Sequence, residues 1–230
     1  MSKQKKRLFI IDGMALIYRA HFAMIRNPLT SKNGQHTSAI YGLASSIFKL
    51  IKDENPDYLV IAMDCREPTF RHEMYDLYKA NRESMPEELV SQLDHIDKMV
   101  NAMNIPILKK PGFEADDIMG TLSASASNED IDTYLVSGDK DLMQVVTENV
   151  FLYTPGNRFK PTTIYGKDEV KEKWGVFPDK MIEFLALLGD ASDNIPGVDG
   201  IGKKTAAKLL NEYGDIEVIL KNIDNIKNKR

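Results

Sequence analysis

Short apolar runs alternate along this chain with segments in which apolar residues have helical spacing. Four runs have the length of a buried strand, namely RLFIID, YLVIAMD, DTYLVSGD and NVFLYT, and IPIL is a brief fifth. Helical spacing predicts a helix over residues 36–54 that stops at Asn55-Pro56. Further helices are predicted over residues 68–82, 86–104 and 114–127. This alternation predicts an α/β fold with a mostly parallel central sheet flanked by helices.

The pattern changes after about Phe177. From there the sequence predicts helix, then a loop rich in glycine and proline over residues 189–202, and then more helix. We therefore expect two domains, an α/β core over residues 1–177 and a helical subdomain over residues 178–230.

Composition is that of an ordinary globular protein, with 43% hydrophobic and 28% charged residues in a chain of 230. The single cysteine, Cys65, excludes an internal disulfide and is typical of a reducing compartment. No apolar run reaches the ~18–20 residues that span a bilayer, so we expect a cytoplasmic protein without a membrane partner. The net charge of −4 argues against a nucleic-acid partner only until the clustered acids are set aside, because the remainder of the chain is net basic.

Nine carboxylates stand where a predicted strand ends or a predicted helix begins. They are Asp12, Asp64, Glu114, Asp116, Asp117, Asp139, Asp141, Asp190 and Asp193. Ligands of open α/β sheets bind beyond the carboxyl ends of the strands, so we expect these acids to converge there. Gathered together they would repel one another unless protons or cations neutralised them, and hard cations such as Mg²⁺ prefer oxygen ligands. The alternative is that the acids merely cap helices.

A basic segment follows the second predicted strand. Arg71, Tyr75, Tyr78 and Arg82 are spaced so that they share one face of the predicted helix, and Lys79 lies beside them. Arginine and lysine bind phosphate, and tyrosine can stack on an unpaired base. The alternative is an amphipathic helix that packs its tyrosines.

The segment IPGVDGIGKKTAAKLL is similar to a helix–hairpin–helix element. Gly200 and Gly202 would let a duplex backbone approach main-chain N–H groups. The charges that would then bind phosphates, without reading sequence, are those of Lys203, Lys204 and Lys208. The alternative is a tight glycine turn flanked by solvated lysines.

Together these motifs resemble the 5′ nuclease family of flap endonucleases, bacteriophage 5′ exonucleases and the N-terminal 5′–3′ exonuclease domain of bacterial DNA polymerase I. The resemblance rests on LFIIDGMALIYRA, AIYGL, FRHEMYDLYKANR, PGFEADDIMG, SGDKDLMQ and LLGDASDNIPGVDGIGKKTA. It runs from about Leu8 to about Ile226, and YKANR and GDASDNIPG make it strongest to the polymerase I domain.

The resemblance implies a structure-specific 5′ nuclease, both 5′–3′ exonuclease and 5′-flap endonuclease, that hydrolyses DNA phosphodiesters near single-strand/duplex junctions. It implies two Mg²⁺ ions, replaceable by Mn²⁺, and allows K⁺ at the hairpin. The implied ligands are Asp12, Asp64, Glu114 and Asp116 for one divalent ion, and Asp117, Asp139, Asp141, Asp190 and Asp193 for the other. A helical arch over about residues 66–100 is implied, in which Lys79 and Arg82 grip the scissile phosphate.

The resemblance also implies a biological setting. A bacterial member would act on the nucleoid, in Okazaki-fragment processing and DNA repair, on DNA that carries a 5′ flap or a 5′ junction. A polymerase domain in the same natural chain is compatible with the resemblance, and so is a standalone nuclease.

Two rival functions stay open on sequence grounds. One is another metal-dependent phosphohydrolase on an α/β sheet; the haloacid dehalogenase type needs a second Asp two residues after the strand-end Asp, whereas Asp12 is followed by Gly13 and Met14. The other is a non-catalytic DNA-junction binder, which would gain nothing from the mutual repulsion of nine acids.

Overall fold

The computed structural model describes residues 5–157 and 159–226, and within them six strands form one mixed sheet. The strands are β1 (Arg7–Asp12), β2 (Tyr58–Ala62), β3 (Ile107–Leu108), β4 (Asp132–Val136), β5 (Val150–Thr154) and β6 (Thr163–Tyr165). Their spatial order is β3-β2-β1-β4-β5-β6, and every pair is parallel except the antiparallel pair of β5 and β6. The predicted α/β fold with a mostly parallel sheet is confirmed. The edge strand β6 was not predicted.

Helices cover both faces of this sheet. They are α1 (Gly13–Ala23), α2 (Ser38–Glu54), α3 (Phe70–Met74), α4 (Glu87–Ala102), α5 (Ala115–Asn128), α6 (Lys167–Trp174), α7 (Met181–Leu188), α8 (Lys203–Tyr213) and α9 (Ile216–Lys221). Short 3-10 turns cover Asp141–Val145, Pro178–Lys180 and Ile223–Asn225. Because both faces are covered, the central strand β1 is apolar without alternation, and Phe9, Ile10 and Ile11 are fully buried.

Two hydrophobic clusters flank the sheet. One joins Phe9 and Ile11 of β1 to apolar residues of α1, α2 and α4. The other joins Ile10 to α5 and also to α7, α8 and α9, so the C-terminal helices share a core with the sheet. The division into domains at residue 177 stays a prediction. The first four and the last four residues of the predicted domains lie outside the described ranges.

The helix predicted over residues 68–82 is wrong in its second half. Helix α3 ends at Met74, Tyr75 is extended, and residues 76–81 form turns in which Lys79 has a left-handed φ of 56°. The cause is a tertiary contact. Polar groups of this segment form hydrogen bonds to a loop that is distant in sequence, instead of the hydrogen bonds of a continuing helix. In the predicted arch, residues 75–86 are therefore non-helical, while α4 packs Leu89 and other apolar residues into the core.

Candidate active site

Three of the predicted site acids lie at the carboxyl edge of the sheet, at or just beyond the ends of β1, β2 and β4. Asp12 is the last residue of β1 and the N-cap of α1; it accepts hydrogen bonds from the Ala15 N–H at 2.9 Å and from the Ser137 hydroxyl at 2.9 Å. Asp64 lies two residues beyond β2 and accepts from the Ala115 N–H at 2.8 Å. Asp139 follows β4 and accepts from the Asp141 N–H at 2.9 Å. These acids are oriented by neutral donors.

We call Asp12, Asp64, Asp116 and Asp139 the unpaired group, because none has a lysine or arginine nitrogen within 4.0 Å in the part of the chain described. Burial, together with the negative charges of Asp12, Asp139 and Asp64, raises the pKa of Asp116 to about 8. Burial likewise raises the pKa of Asp12. A hard divalent cation would supply the missing positive charge, so this group fits one.

We call the other five acids, Glu114, Asp117, Asp141, Asp190 and Asp193, the paired group. Three of them, Asp141, Asp190 and Asp193, place one carboxylate oxygen each within 4.8 Å of one another. Lys140 donates to Asp190 at 2.6 Å and lies 3.3 Å from Asp141. Burial raises the pKa of Asp141 to about 6 despite Lys140. Burial would also raise that of Asp190, but Lys140 and the Ser192 N–H outweigh it and lower the pKa. This triad fits a second cation.

Glu114 and Asp117 stand at the N-terminus of α5. Asp117 accepts two hydrogen bonds from the Arg71 guanidinium, at 2.8 and 2.9 Å, and these lower its pKa. Glu114 accepts from the Lys79 ammonium at 2.7 Å and from the Tyr78 hydroxyl at 2.9 Å. The Glu114 N–H also donates to Asp117 at 2.9 Å, so the helix-capping interpretation holds for this part of the cluster too.

The predicted split of the nine acids between two ions stays a prediction, and the contacts of the structure bear on three of its members. Glu114, predicted beside Asp12, lines the same cavity as Asp12 and raises the pKa of Asp116, and it also pairs with Lys79 at 2.7 Å. Asp139 was predicted with the second ion, yet its charge acts on Asp12 and Asp116 as well as on Asp141. Asp139 therefore lies between the two sets, and no contact places Asp117 in the acidic triad.

Residues 75–82, which we call the docked segment, lie on the loop of residues 190–195. The Lys79 N–H donates to the Asp193 carbonyl at 3.0 Å. Asn81 donates to the Ala191 carbonyl at 2.8 Å, and Asn194 donates back to the Leu77 carbonyl at 2.8 Å. These bonds explain why the segment is not helical.

The predicted DNA-binding side chains of this region contact the acids. Arg82 donates to Asp193 at 2.7 Å, and Tyr78 donates to Asp193 at 3.0 Å as well as to Glu114. Tyr78 is only 7% exposed, so the prediction that it stacks on an unpaired base is wrong for this arrangement, and the alternative of a packed tyrosine holds. The Arg71 guanidinium likewise forms an ion pair with Asp117 at 2.8 Å.

Two cavities open beside the docked segment, with volumes of about 1020 and 700 Å³. Glu114 and Asp116 line both. Lys79 and Arg82 face the larger cavity, which also holds the unpaired group. The predicted phosphate-gripping residues therefore share a cleft with the acids.

The predicted hairpin joins α7 to α8. Gly200 has a φ of 78°, which favours glycine, and a Cβ added at Gly200 or Gly202 would meet nothing within 4 Å. Gly202 is the N-cap of α8 and offers no side-chain cap, so the first N–H groups of α8 are open to a ligand. The three predicted lysines, Lys203, Lys204 and Lys208, are exposed.

Several residues of the site escaped prediction. Ser137 orients Asp12, and Lys140 neutralises Asp190. Gly189 and Gly197 let the two ends of the loop of residues 190–195 approach closely, because a Cβ on Gly189 would meet the Gly197 nitrogen at 2.3 Å. The one available signal was the position of Lys140 between two acids in SGDKD.

Comparison of the sequence with models of known families shows the family of the chain. The model of the 5′–3′ exonuclease N-terminal resolvase-like domain matches residues 7–175, and that of the 5′–3′ exonuclease C-terminal SAM fold matches residues 176–230. The chain belongs to the 5′–3′ exonuclease family. The predicted family is confirmed.

Curated relatives agree. The chain is 42% identical over 223 residues to DNA polymerase I of Caldicellulosiruptor bescii, covering 96% of this chain and 26% of that protein. It is 39% identical over 228 residues to DNA polymerase I of Bacillus subtilis, covering 99% of this chain and 26% of that protein. The chain thus spans about a quarter of the length of these relatives.

Solved structures share the fold. Bacteriophage T5 5′-exonuclease with bound zinc is 25% identical, with a TM-score of 0.75 over 98% of this chain and 82% of that one. The catalytic core of Rad2 in complex with a DNA substrate is 18% identical, with a TM-score of 0.63 over 97% of this chain and 66% of that one. No helix in the described ranges is long and apolar enough to cross a membrane.

Proposed function

We propose that this chain is a structure-specific 5′ nuclease, a 5′–3′ exonuclease and 5′-flap endonuclease that hydrolyses DNA near single-strand/duplex junctions. The observation that carries the proposal is the convergence of nine acids beside a cationic segment, in a chain of the 5′–3′ exonuclease family. A non-catalytic junction binder would have no use for an acid such as Asp116, whose pKa is raised to about 8.

The proposed cofactors are two Mg²⁺ ions, with Mn²⁺ as a substitute. The unpaired group would hold one, and Asp141, Asp190 and Asp193 would hold the other. Ions bound there would supply Lewis acidity, which would lower the pKa of a water molecule and stabilise the leaving 3′ oxygen. The chain's own part is to orient the carboxylates, which Ser137 and the N–H groups of Ala15 and Ala115 do.

Lys79 and Arg82 are proposed to grip the scissile phosphate. An ammonium has three N–H donors and Lys79 uses one on Glu114, while a guanidinium has five and Arg82 uses two, on Asp193 and Ser192. Both therefore keep free donors for phosphate while docked. Their contacts to Glu114 and Asp193 also hold them over the acids, where charge develops in the transition state.

The hairpin is proposed to bind the duplex. Its open N–H groups and lysines contact phosphates and carry no base code, so substrate choice should follow shape. K⁺ at the hairpin, a polymerase domain in the natural chain, and roles in Okazaki-fragment processing and DNA repair complete the proposal.

The test compares 5′-flap, 3′-flap and blunt duplexes of scrambled sequence in Mg²⁺, Mn²⁺, Ca²⁺ and excess chelator. We expect cutting of 5′ flaps near the junction with a 5′-phosphate product, poor cutting of blunt ends and almost none of 3′ flaps. Mg²⁺ and Mn²⁺ should support cutting, and Ca²⁺ should bind without supporting it well. Equal cutting of 3′ flaps, a strong base preference, or activity in chelator would contradict the proposal.

A further inference from the structure

Two lysines from different helices share the ring of the single tryptophan. The Lys203 ammonium, at the start of α8, lies 4.5 Å from the centre of the Trp174 ring. The Lys173 ammonium, near the end of α6, lies 5.9 Å from the same ring. Lys173 also lies 4.2 Å from the Tyr165 ring and donates to the Tyr165 hydroxyl at 2.9 Å. Aromatic faces attract cations, so these contacts hold both ammonium groups in place.

Neither lysine is neutralised. Among the described residues no carboxylate lies within 4.0 Å of Lys173 or Lys203, although both are exposed. Lys167, on the same helix as Lys173, contrasts with them, because it donates to Glu148 at 2.7 Å. The two ring-held lysines therefore keep their full positive charge for a partner.

The spacing of the two lysines is set by the packing of α6 against α8. Gly175, just after α6, has a φ of 82°, and a Cβ added there would meet the Ala207 Cβ at 3.0 Å. Asn211 of α8 donates to the Gly175 carbonyl at 2.7 Å. Lys171 donates to the same carbonyl at 2.9 Å and to the Asn211 side chain at 2.6 Å. A preorganised pair of charges loses little entropy when it binds.

We propose that Lys173, Trp174 and Lys203 form a phosphate-binding surface for duplex DNA that extends the hairpin onto α6. The proposal rests on the proposed function, and it adds Lys173 as a DNA contact and Trp174 as a positioning residue. The Trp174 ring contacts the Lys203 ammonium and packs in a T-shaped arrangement with the Phe184 ring, whose centre lies 5.6 Å away. The ring is therefore not free to stack on a base, and the surface contacts the backbone without reading sequence.

The test measures the binding of a 5′-flap duplex in Ca²⁺ at several salt concentrations. Each phosphate contact contributes about −0.9 to the slope of log K against log salt. We expect Lys173→Ala and Lys203→Ala each to reduce the slope by about 0.9, and the double variant by about twice that. The matched control is Lys167→Ala, which removes an ion-paired lysine from the same helix and should leave the slope unchanged. Lys173→Arg should restore the parent slope.

Trp174 provides an independent readout, because it is the only tryptophan in the chain. Duplex titration should change its emission in the parent and change it less in Lys203→Ala. Trp174→Phe should bind nearly as the parent does, while Trp174→Leu should weaken binding with no charge removed. If Lys173→Ala keeps the parent slope while Lys203→Ala lowers it, the extension onto α6 is wrong and the hairpin stands. If 5′ flaps are not cut at all, the proposed function itself has failed.

Discussion

The two groups of acids in the cleft are oriented by different chemistry. The unpaired group is held by neutral donors, such as the N–H groups of Ala15 and Ala115. The paired group is held by cations of the protein, such as Arg71 on Asp117 and Lys140 on Asp190. The nine carboxylates thus divide into those that a lysine or arginine of the chain neutralises and those that no such cation neutralises among the described residues.

The difference shows where the fold depends on an outside cation. In the unpaired group burial and mutual repulsion raise the pKa of Asp116 to about 8, so protons or metal ions must supply the balance. In the paired group three of the cations, Arg71, Lys79 and Arg82, come from α3 and the docked segment. Compensation there depends on that region staying in place.

Asp116, in the unpaired group, should be the acid whose loss slows cleavage most. Asp116→Asn removes an unneutralised charge while keeping the shape, and should lower the single-turnover rate by about 10²–10³-fold or more. Asp117→Asn should lower it much less, because Arg71 already neutralises Asp117. Asp139→Asn should behave like Asp116→Asn. Similar rates for the Asp116 and Asp117 variants would mean that the two groups do not differ in function.

The second effect concerns a cation of the paired group. Lys79→Ala should slow single-turnover cleavage by about 10–100-fold with little change in duplex binding, because the residue faces the cleft and not the hairpin. Lys109→Ala is the matched control, since Lys109 lines the same cleft but pairs with Asp97. Binding weakened as much as the rate would indicate that Lys79 only positions the substrate.

A third effect appears as a dependence of stability on pH without divalent ions. The folded pKa of Asp116 is raised from 3.8 to about 8, and that of Asp141 to about 6. From about pH 4 to about pH 8, between the unfolded and folded pKa of Asp116, the folded state binds more protons than the unfolded state. The free energy of unfolding therefore falls as pH rises through this range. Each kcal/mol lost should lower the Tm by about 2–4 °C.

The same experiment separates the two groups. Ca²⁺ should raise the Tm more at pH 8 than at pH 5, because at pH 5 protons compete with Ca²⁺ for the carboxylates of the unpaired group. Asp116→Asn should flatten the fall between pH 5 and 8. Asp117→Asn should not, because the pKa of Asp117 is lowered and its effect lies at more acidic pH. A Tm without calcium that rises from pH 5 to 8 would refute this account.

Sequence reasoning was most successful where local chemistry and a topological rule coincide. Apolar runs marked the strands β1, β2, β4 and β5, and the convergence of Asp12, Asp64 and Asp139 followed from the rule for open α/β sheets. Strand β6 has three residues and an exposed Ile164, so it carries no apolar run to detect.

Sequence reasoning failed where distant contacts determine the backbone. Nothing in the spacing of residues 68–82 shows that Asn81 bonds to Ala191, 110 residues away, or that Arg71 grips Asp117. Helical periodicity is a local signal, and here tertiary hydrogen bonds override it. The pairing of individual acids with cations could not be read from the sequence for the same reason.

Loosening the docked segment without changing any acid should alter the protein less than the substitutions above. Asn81→Ala removes one exposed hydrogen bond to the Ala191 carbonyl and should cost about 0.5–1 kcal/mol of unfolding free energy or less. Because that bond attaches the docked segment to the loop of residues 190–195, limited proteolysis should cut the docked segment faster in the variant. Asn101→Ala, on the exposed surface of α4, is the control and should leave the proteolysis rate unchanged. Equal rates for parent and Asn81→Ala would show that the other contacts of Lys79, Arg82 and Asn194 hold the segment by themselves.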